Sequence, residues 1–578
     1  MESFIPSTDP VLNSVAVSAL VAVVPLLTFF VLLAYVKVKA HVAGAIALLV
    51  ALAVAVFAFR MPAGLAVLSA TQGAVFGAFP VLWIVIMAIW LYQITVLSGR
   101  FEDLRRVFDV IGGGDVRVQA ILVAFCFGGL LEALAGFGAP VAITATMLVA
   151  LGIKPLKAAA AVLVANTAPV AFGAMAIPIT TAASLTGLDA GHIGMVVGRQ
   201  APLLAVFVPL ILVFILDGRR GVRDTWPAAV VTGVAFALAQ VLCSTFFSYE
   251  LTDIVAALAG LGAAVVFLKF WQPKGLESAR ERMGLPALAA AGSDSTSTGS
   301  AGARGRSTAA VKDGDSLTRS RTLLALFPYF LVILIFGIAK LWKWGADIPA
   351  LLASTDLKVP WPWLHDRLLS EAGEPVSSTI YTFNWLSSPG TLLLITGLIV
   401  CAVYAKYDDG GRYAMTVGNG VADIFRTVWN MRWAGATILS VLSLAYVMNF
   451  SGQTVAIGTW LAGTGAFFAF LSPVLGWIGT AVTGSDTSAN ALFARLQQTA
   501  GIEAGIDPNL LVAANTTGGV VGKLISPQNL AIAVTAVKLD GQESVLLRKV
   551  VGWSVGLLLV LCTLVYLQST PILGWMLP

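Results

Sequence analysis

The sequence predicts an all-α polytopic membrane protein built from two inverted-topology repeats with broken helices. Three observations lead there. Of its 578 residues, 58% are hydrophobic and 11% charged, with a mean hydropathy of +0.89; a soluble domain carries roughly 25% charged residues. Uncharged runs of about 17–22 residues recur, each long enough to cross roughly 30 Å of hydrocarbon at 1.5 Å per residue. Finally, one motif occurs twice. Asn166-Thr167 is followed by Gly173 and Pro178, and Asn515-Thr516 by Gly522 and Pro527, at the same offsets of seven and twelve residues. Each copy follows a polar, glycine-containing break in an apolar stretch, Gly136–Pro140 and Gly484–Ser488. Interrupted hydrophobic segments at matching places in two halves mark the substrate site of a transporter.

Full crossings are expected near 15–36, 42–59, 80–98, 158–185, 198–217, 226–247 and 251–270, then near 322–342, 390–406, 432–450, 508–538 and 550–567. The segments 119–152 and 471–503 carry their polar breaks in the middle and suit re-entrant hairpins, because non-helical backbone at membrane depth must be buried in protein or line a cavity. The expectation is therefore about twelve transmembrane helices and two hairpins. The first repeat is 1–217, with hairpin 119–152 and broken helix 158–185. Linking helices occupy 218–271. The second repeat is 322–578, with hairpin 471–503 and broken helix 508–538.

Between the repeats, 272–321 is rich in Ser, Gly, Ala and Arg and reads as a flexible cytoplasmic linker, with a regulatory segment as the rival. The 343–389 loop carries Trp361, Trp363 and Trp385, suited to anchor at the interface. The mixed stretches 99–117 and 408–430 either lie flat on the cytoplasmic surface or are ordinary loops. The first apolar run has an acidic, lysine-free leader, which predicts an uncleaved span rather than a signal peptide.

Charge orients the chain. No Lys or Arg precedes Lys37 and none follows Lys549, and most basic residues fall on one side of the expected topology. By the positive-inside rule that side is the cytoplasm and both termini face out, with Arg60, Arg199, Lys340, Lys343, Lys358, Arg367 and Arg495 as scattered exceptions. The net charge of +5 sits in short loops and is no nucleic-acid signal. Cys126, Cys243, Cys401 and Cys562 all lie in apolar runs and read as buried hydrophobes rather than disulfides or metal ligands.

Charge inside the spans costs on the order of 2.5–3.5 kcal/mol on insertion scales, so each case asks for a function. Glu132 precedes the first break, Asp486 lies in the second, and Lys523 follows Gly522 where the first copy has Ala174. Packing of Glu132 against a neighbouring helix and snorkelling of Lys523 are the plainer alternatives. A helix interrupted at mid-membrane exposes N–H groups that attract an anion and carbonyls that attract a cation. The expected substrate walls are Gly136, Phe137 and Gly138 of the first tip, Ser485, Thr487 and Ser488 of the second, and Asn166, Thr167, Asn515, Thr516 and Lys523. Glu132, Asp486 and Lys523 are the expected proton-coupling groups, and Lys523 is expected to stand in for a sodium ion, pairing with the substrate carboxylate or with Asp486. Enzyme motifs are missing: His41, His192 and His365 map to loops or span ends, and there is no HExxH, GxSxG or Walker sequence. An anion channel is the rival from another class.

At these residues the chain resembles the bacterial L-lactate permease family, most closely in the block Phe125 to Thr144, in Asn166 to Met175, in Thr483 to Ser488 and in Leu511 to Gly519. The resemblance implies import of L-lactate, with D-lactate and glycolate as related 2-hydroxymonocarboxylates, by proton symport across the bacterial cytoplasmic (inner) membrane. A co-transported proton is then the sole cofactor, and the partners are that small substrate and the lipid bilayer, with no nucleic acid. More distantly, two hairpins plus two broken helices look like the elevator-type carboxylate carriers. That analogy implies an elevator motion and a homodimer, and it leaves sodium-coupled carboxylate symport as an alternative.

Overall fold

The computed structural model describes residues 3–111, 115–135, 138–285, 318–370, 373–408, 411–413, 415–539 and 541–578. The chain is an all-α polytopic membrane protein. Among the described residues, ten helices are long and apolar enough to cross a bilayer, or eleven if the bent pair Pro155–Ala165 and Val170–Thr186 counts as one span. Two of the ten, Val116–Leu134 and Gly465–Thr483, fall in the segments expected as hairpins, and the rest of the difference from the expected twelve has local causes. The runs 198–217 and 226–247 are two helices within Ala190–Phe246, joined at a kink at Gly218, whose φ of 71° is left-handed, so the two crossings expected there stand as one among the ten. The run 251–270 forms only the 17-residue helix Thr252–Leu268. The 508–538 segment is divided into Pro508–Gly522 and Pro527–Ala536.

Burial sorts the helices into a rim and a centre. The window Val15–Leu33 is 33% buried and Ala40–Ala58 is 28% buried, whereas Val116–Leu134 is 94% buried. Helices whose apolar residues face outward meet lipid, and a helix buried all round lies in the protein interior. The interior is packed through small residues. Ala158 to Ala165 are all buried. Helices Phe468–Thr483 and Pro508–Gly522 approach so closely that a Cβ at Gly518 would run into the Pro473 carbonyl, and one at Gly476 into the Asn515 carbonyl. Contact through small residues is how helices associate without a hydrophobic driving force between them.

Three peripheral readings need correction. The 272–321 stretch begins with an ordered helix, Leu276–Met283, held by Arg282, whose Nη2 pairs with Asp217 at 2.7 Å; residues 286–317 lie outside the described part. From Val417 on, the 408–430 stretch is no ordinary loop but the start of one continuous 35-residue helix, Val417–Ser451. The 343–389 loop is partly regular, with helix Ile348–Ala353 and a two-stranded antiparallel sheet pairing Leu357–Pro360 with Ile380–Phe383. In that loop Trp363 is exposed, while Trp361 donates to Thr71 Oγ1 at 3.2 Å and Trp385 to the Thr355 carbonyl at 3.1 Å. All four cysteines are free and buried.

Candidate functional site

The first helix pair runs from Val116 through Gly128–Ala135 and returns as Ala139–Ala150. Gly138, at φ 89°, turns the chain into the returning helix, a backbone conformation open to glycine. Gly136 and Phe137, expected in the substrate wall, lie outside the described residues. The second pair is Phe468–Thr483 and Asp486–Ala504, with Ser485 capping the latter by accepting from Ser488 N–H at 3.3 Å. Both turns reach the start of helix Pro527–Ala536. A Cβ at Gly138 would meet Ile532 and come within 3.6 Å of Asn529 Oδ1, and one at Gly484 would stand 2.5 Å from Gln528 Oε1.

The first broken helix stops at Ala165, and Asn166 and Thr167 lie in the turn that follows. Pro169 explains the stop: it lacks the N–H that would continue the ladder and disfavours helical backbone before it. The chain resumes at Gly173 with Ala174, Met175 and Ala176 at φ 46°, 59° and 55°. Three successive non-glycine residues in the left-handed region cost on the order of 1–3 kcal/mol each. All three are buried, so the surrounding packing holds them there. The second broken helix continues through Asn515 and Thr516 and stops only at Lys523, where a short 3₁₀ turn leads to extended Ser526 before Pro527. Asn529 Nδ2 bridges the gap, donating to the Lys523 carbonyl at 3.2 Å and to Ser526 Oγ at 2.9 Å.

An ion pair joins the first helix pair to the second break. Lys523 Nζ donates to Glu132 Oε1 at 2.5 Å, with side-chain exposures of 9% and 3%. Gly173 makes room for it, since a Cβ there would stand 3.2 Å from Glu132 Oε1. Glu132 Oε2 is buried without a hydrogen-bond partner among the described residues. Asn166, Thr167, Lys523 and Asn529 line one crevice of about 170 Å³ whose walls are too close to admit a water-sized sphere. This crevice is too narrow for a small hydroxy acid, and Asn515, Thr516 and the second tip do not line it. Lys523 does not pair with Asp486, contrary to one of its expected partners: Asp486 Oδ1 accepts from Thr480 Oγ1 at 3.4 Å and its Oδ2 is buried without a partner.

The expected wall residues separate into two groups. Asn166 has a buried side chain that makes no hydrogen bond among the described residues, and Thr167 Oγ1 bonds the Val164 carbonyl at 2.7 Å. Asn515 and Thr516, in contrast, are occupied two helical turns before the break. Asn515 Nδ2 and Thr516 Oγ1 donate to Asn490 Oδ1 at 3.2 and 3.0 Å, and Asn515 Oδ1 accepts from Gln497 Nε2 at 3.3 Å. Ser485, Thr487 and Ser488 stay at the second tip, following Gly484, the residue that approaches Gln528.

Sequence reasoning missed Asp253. It is 1% exposed, its Oδ1 accepts from Gln240 Nε2 at 2.9 Å, and the same nitrogen donates to the Ala168 carbonyl in the first break at 3.1 Å. An acid in an otherwise apolar run was the available signal. Asn529 was also missed, although a polar side chain two residues past Pro527 is well placed to cap a broken helix.

Comparison with known proteins matches the sequence to a family. The L-lactate permease family profile aligns with residues 18–572. The chain is 40% identical to the L-lactate permease of Bacillus subtilis, over 98% of this chain and 99% of that one. It is 39% identical to the glycolate permease of Escherichia coli K12, over 96% and 97% of the two chains. It is 40% identical to the L-lactate permease of the same strain, over 99% and 98%.

Proposed function

The chain belongs to the L-lactate permease family, and from that premise we propose that it imports L-lactate, with D-lactate and glycolate as congeners, together with one proton. The observation that carries this reading is the buried Lys523–Glu132 pair at the crevice that also holds Asn166, Thr167 and Asn529. With the site empty, ammonium and carboxylate cancel. A substrate carboxylate that takes Lys523 displaces Glu132, and a charged Glu132 left alone in the interior would cost several kcal/mol. Protonating Glu132 removes that cost. The Lys523–Glu132 pair is then neutral when empty or when loaded with one carboxylate plus one proton, and a substrate bound without the proton leaves it with a buried net charge. Carboxylate entering a negative interior alone works against roughly 2.3 kcal/mol per 100 mV, which the proton also cancels.

The two helix pairs act as re-entrant hairpins of inverted repeats, and the hairpins with the broken helices move together as the elevator body. The 94% burial of Val116–Leu134 supports this. So does the meeting of both tips at Gln528, Asn529 and Ile532. The basic side faces the cytoplasm and both termini face out. Radiolabelled lactate uptake into proteoliposomes tests the coupling: an imposed inside-alkaline pH gradient should drive accumulation. Uptake that follows a sodium gradient and ignores pH would overturn the proton reading.

A further inference from the structure

A second cavity, of about 480 Å³ and of mixed polar and apolar lining, opens on the face that carries the N-terminal segment. It shares no lining residue with the crevice at Lys523. Its walls come from two bodies: Ser184 at the end of the first broken helix and Arg495 of helix Asp486–Ala504 on one side, Tyr446 and Asn449 of helix Val417–Ser451 on the other. Ser7 and the exposed Glu374 sit among the loop residues that cover it. The volume falls in the range of small-molecule sites.

Arg495 is its sole Lys or Arg among the described lining residues, and the guanidinium is half-buried. One nitrogen, Nη1, donates to the Thr186 carbonyl at 3.3 Å and to Gln498 Oε1 at 2.6 Å. The other guanidinium N–H groups make no hydrogen bond, and no carboxylate lies within ion-pair distance, among the described residues. A clamp on the helix end does not need the charge, because Gln498 Nε2 already donates to the Thr186 carbonyl at 3.0 Å. An unpaired guanidinium facing this cavity presents the planar donor pair that matches a carboxylate.

Resting on the reading of the protein as a 2-hydroxymonocarboxylate carrier, we propose that this cavity is an outer vestibule in which Arg495 captures the substrate carboxylate before it reaches the crevice at Lys523. One cation inside and one acid at the rim suit a monoanion, because a second carboxylate would meet Glu374 rather than another cation. The site is distinct from the coupling pair and sets affinity on one face only.

The test compares lactate transport by the full chain in right-side-out and inverted membrane vesicles. Arg495→Gln is expected to raise the KM from the vestibule face about tenfold, the loss of one charge-assisted hydrogen-bonding partner, while the KM from the opposite face stays within about twofold. Arg495→Lys should recover part of that loss. Glu374→Gln, an exposed change with little risk to folding, should lower the vestibule-face KM about twofold through the removed repulsion. An unchanged KM for Arg495→Gln, an equal loss from both faces, or a KM that rises in Glu374→Gln overturns the assignment. Lack of wild-type uptake of any 2-hydroxymonocarboxylate would overturn the functional reading and this inference together; wild-type uptake with an Arg495→Gln KM unchanged overturns this inference alone.

Discussion

The two broken helices carry the same Asn-Thr, Gly and Pro at the same spacing, yet they break in different places. In the first, the helix ends at Ala165 and Asn166-Thr167 is the turn itself. In the second, Asn515-Thr516 stays helical and the break falls at Lys523–Ser526. The residue three after the Asn differs, Pro169 in one copy and Gly518 in the other. Proline stops the ladder there. Glycine lets it continue and allows the Pro473 carbonyl to come close. The same motif thus supplies a free Asn166 to the crevice in one repeat and a structural Asn515 in the other. The offset also places Lys523 opposite Glu132, so the asymmetry of the repeats creates the ion pair.

The largest effect should come from the pair. Lys523→Ala is expected to abolish concentrative uptake and to destabilise the protein, by up to about 3–5 kcal/mol where Glu132 stays ionised, because Glu132 is left buried without its partner. Adding Glu132→Gln should restore thermal stability in detergent without restoring pH-driven uptake, and Glu132→Gln alone should retain lactate exchange while losing pH coupling. Wild-type pH-driven uptake by Lys523→Ala would break the assignment.

Moving the first repeat's break into the second comes next. Gly518→Pro is expected to cost about 3 kcal/mol or more, from the lost ladder bond and the collision with the Pro473 carbonyl. Thermal unfolding measures it, and a shift no larger than that of an ordinary surface substitution would deny that Gly518 keeps this helix whole.

The paired asparagines give the sharpest contrast. Asn515→Ala should cost about 1–3 kcal/mol of stability by leaving Asn490 and Gln497 short of partners, with a small change in KM. Asn166→Ala should do the reverse, raising lactate KM about tenfold with little change in unfolding temperature. If the two substitutions behave alike in both assays, the motif has one role and the comparison fails.

The smallest effect is expected from Pro169→Ala, about 1 kcal/mol or less in stability, since the flanking packing still holds the turn. Its value lies in the rate: a first break that can add a helical turn should slow lactate exchange while leaving KM near wild type.

Much of this was legible in the chain. Hydropathy placed most of the spans because a run of apolar residues must cross hydrocarbon as a helix whatever its neighbours are. Gly and Pro placed the breaks to within a few residues, because backbone freedom and a missing N–H act locally. The three charges that cost most to bury, Glu132, Asp486 and Lys523, were picked out one at a time by the same reasoning. Their partners were not. Glu132 and Lys523 are 391 positions apart in the chain, and nothing in the local pattern favours that contact over Lys523 with Asp486. Asp253 was passed over because a single acid near the start of an apolar run looks like a span end until Gln240 and the Ala168 carbonyl are seen beside it.

The sequence by itself thus determined that the chain spans the membrane, where its helices are interrupted, and which residue types are available at the interruptions. Each of these depends on interactions within a few residues or with lipid. Only the tertiary structure decided which charge neutralises which, that Asn515 is engaged with Asn490 while Asn166 makes no side-chain hydrogen bond among the described residues, and that Arg495 faces a cavity with no carboxylate within ion-pair distance of it among those residues. Those outcomes depend on how separate helices pack, and a buried polar group takes its role from the partner that packing brings to it.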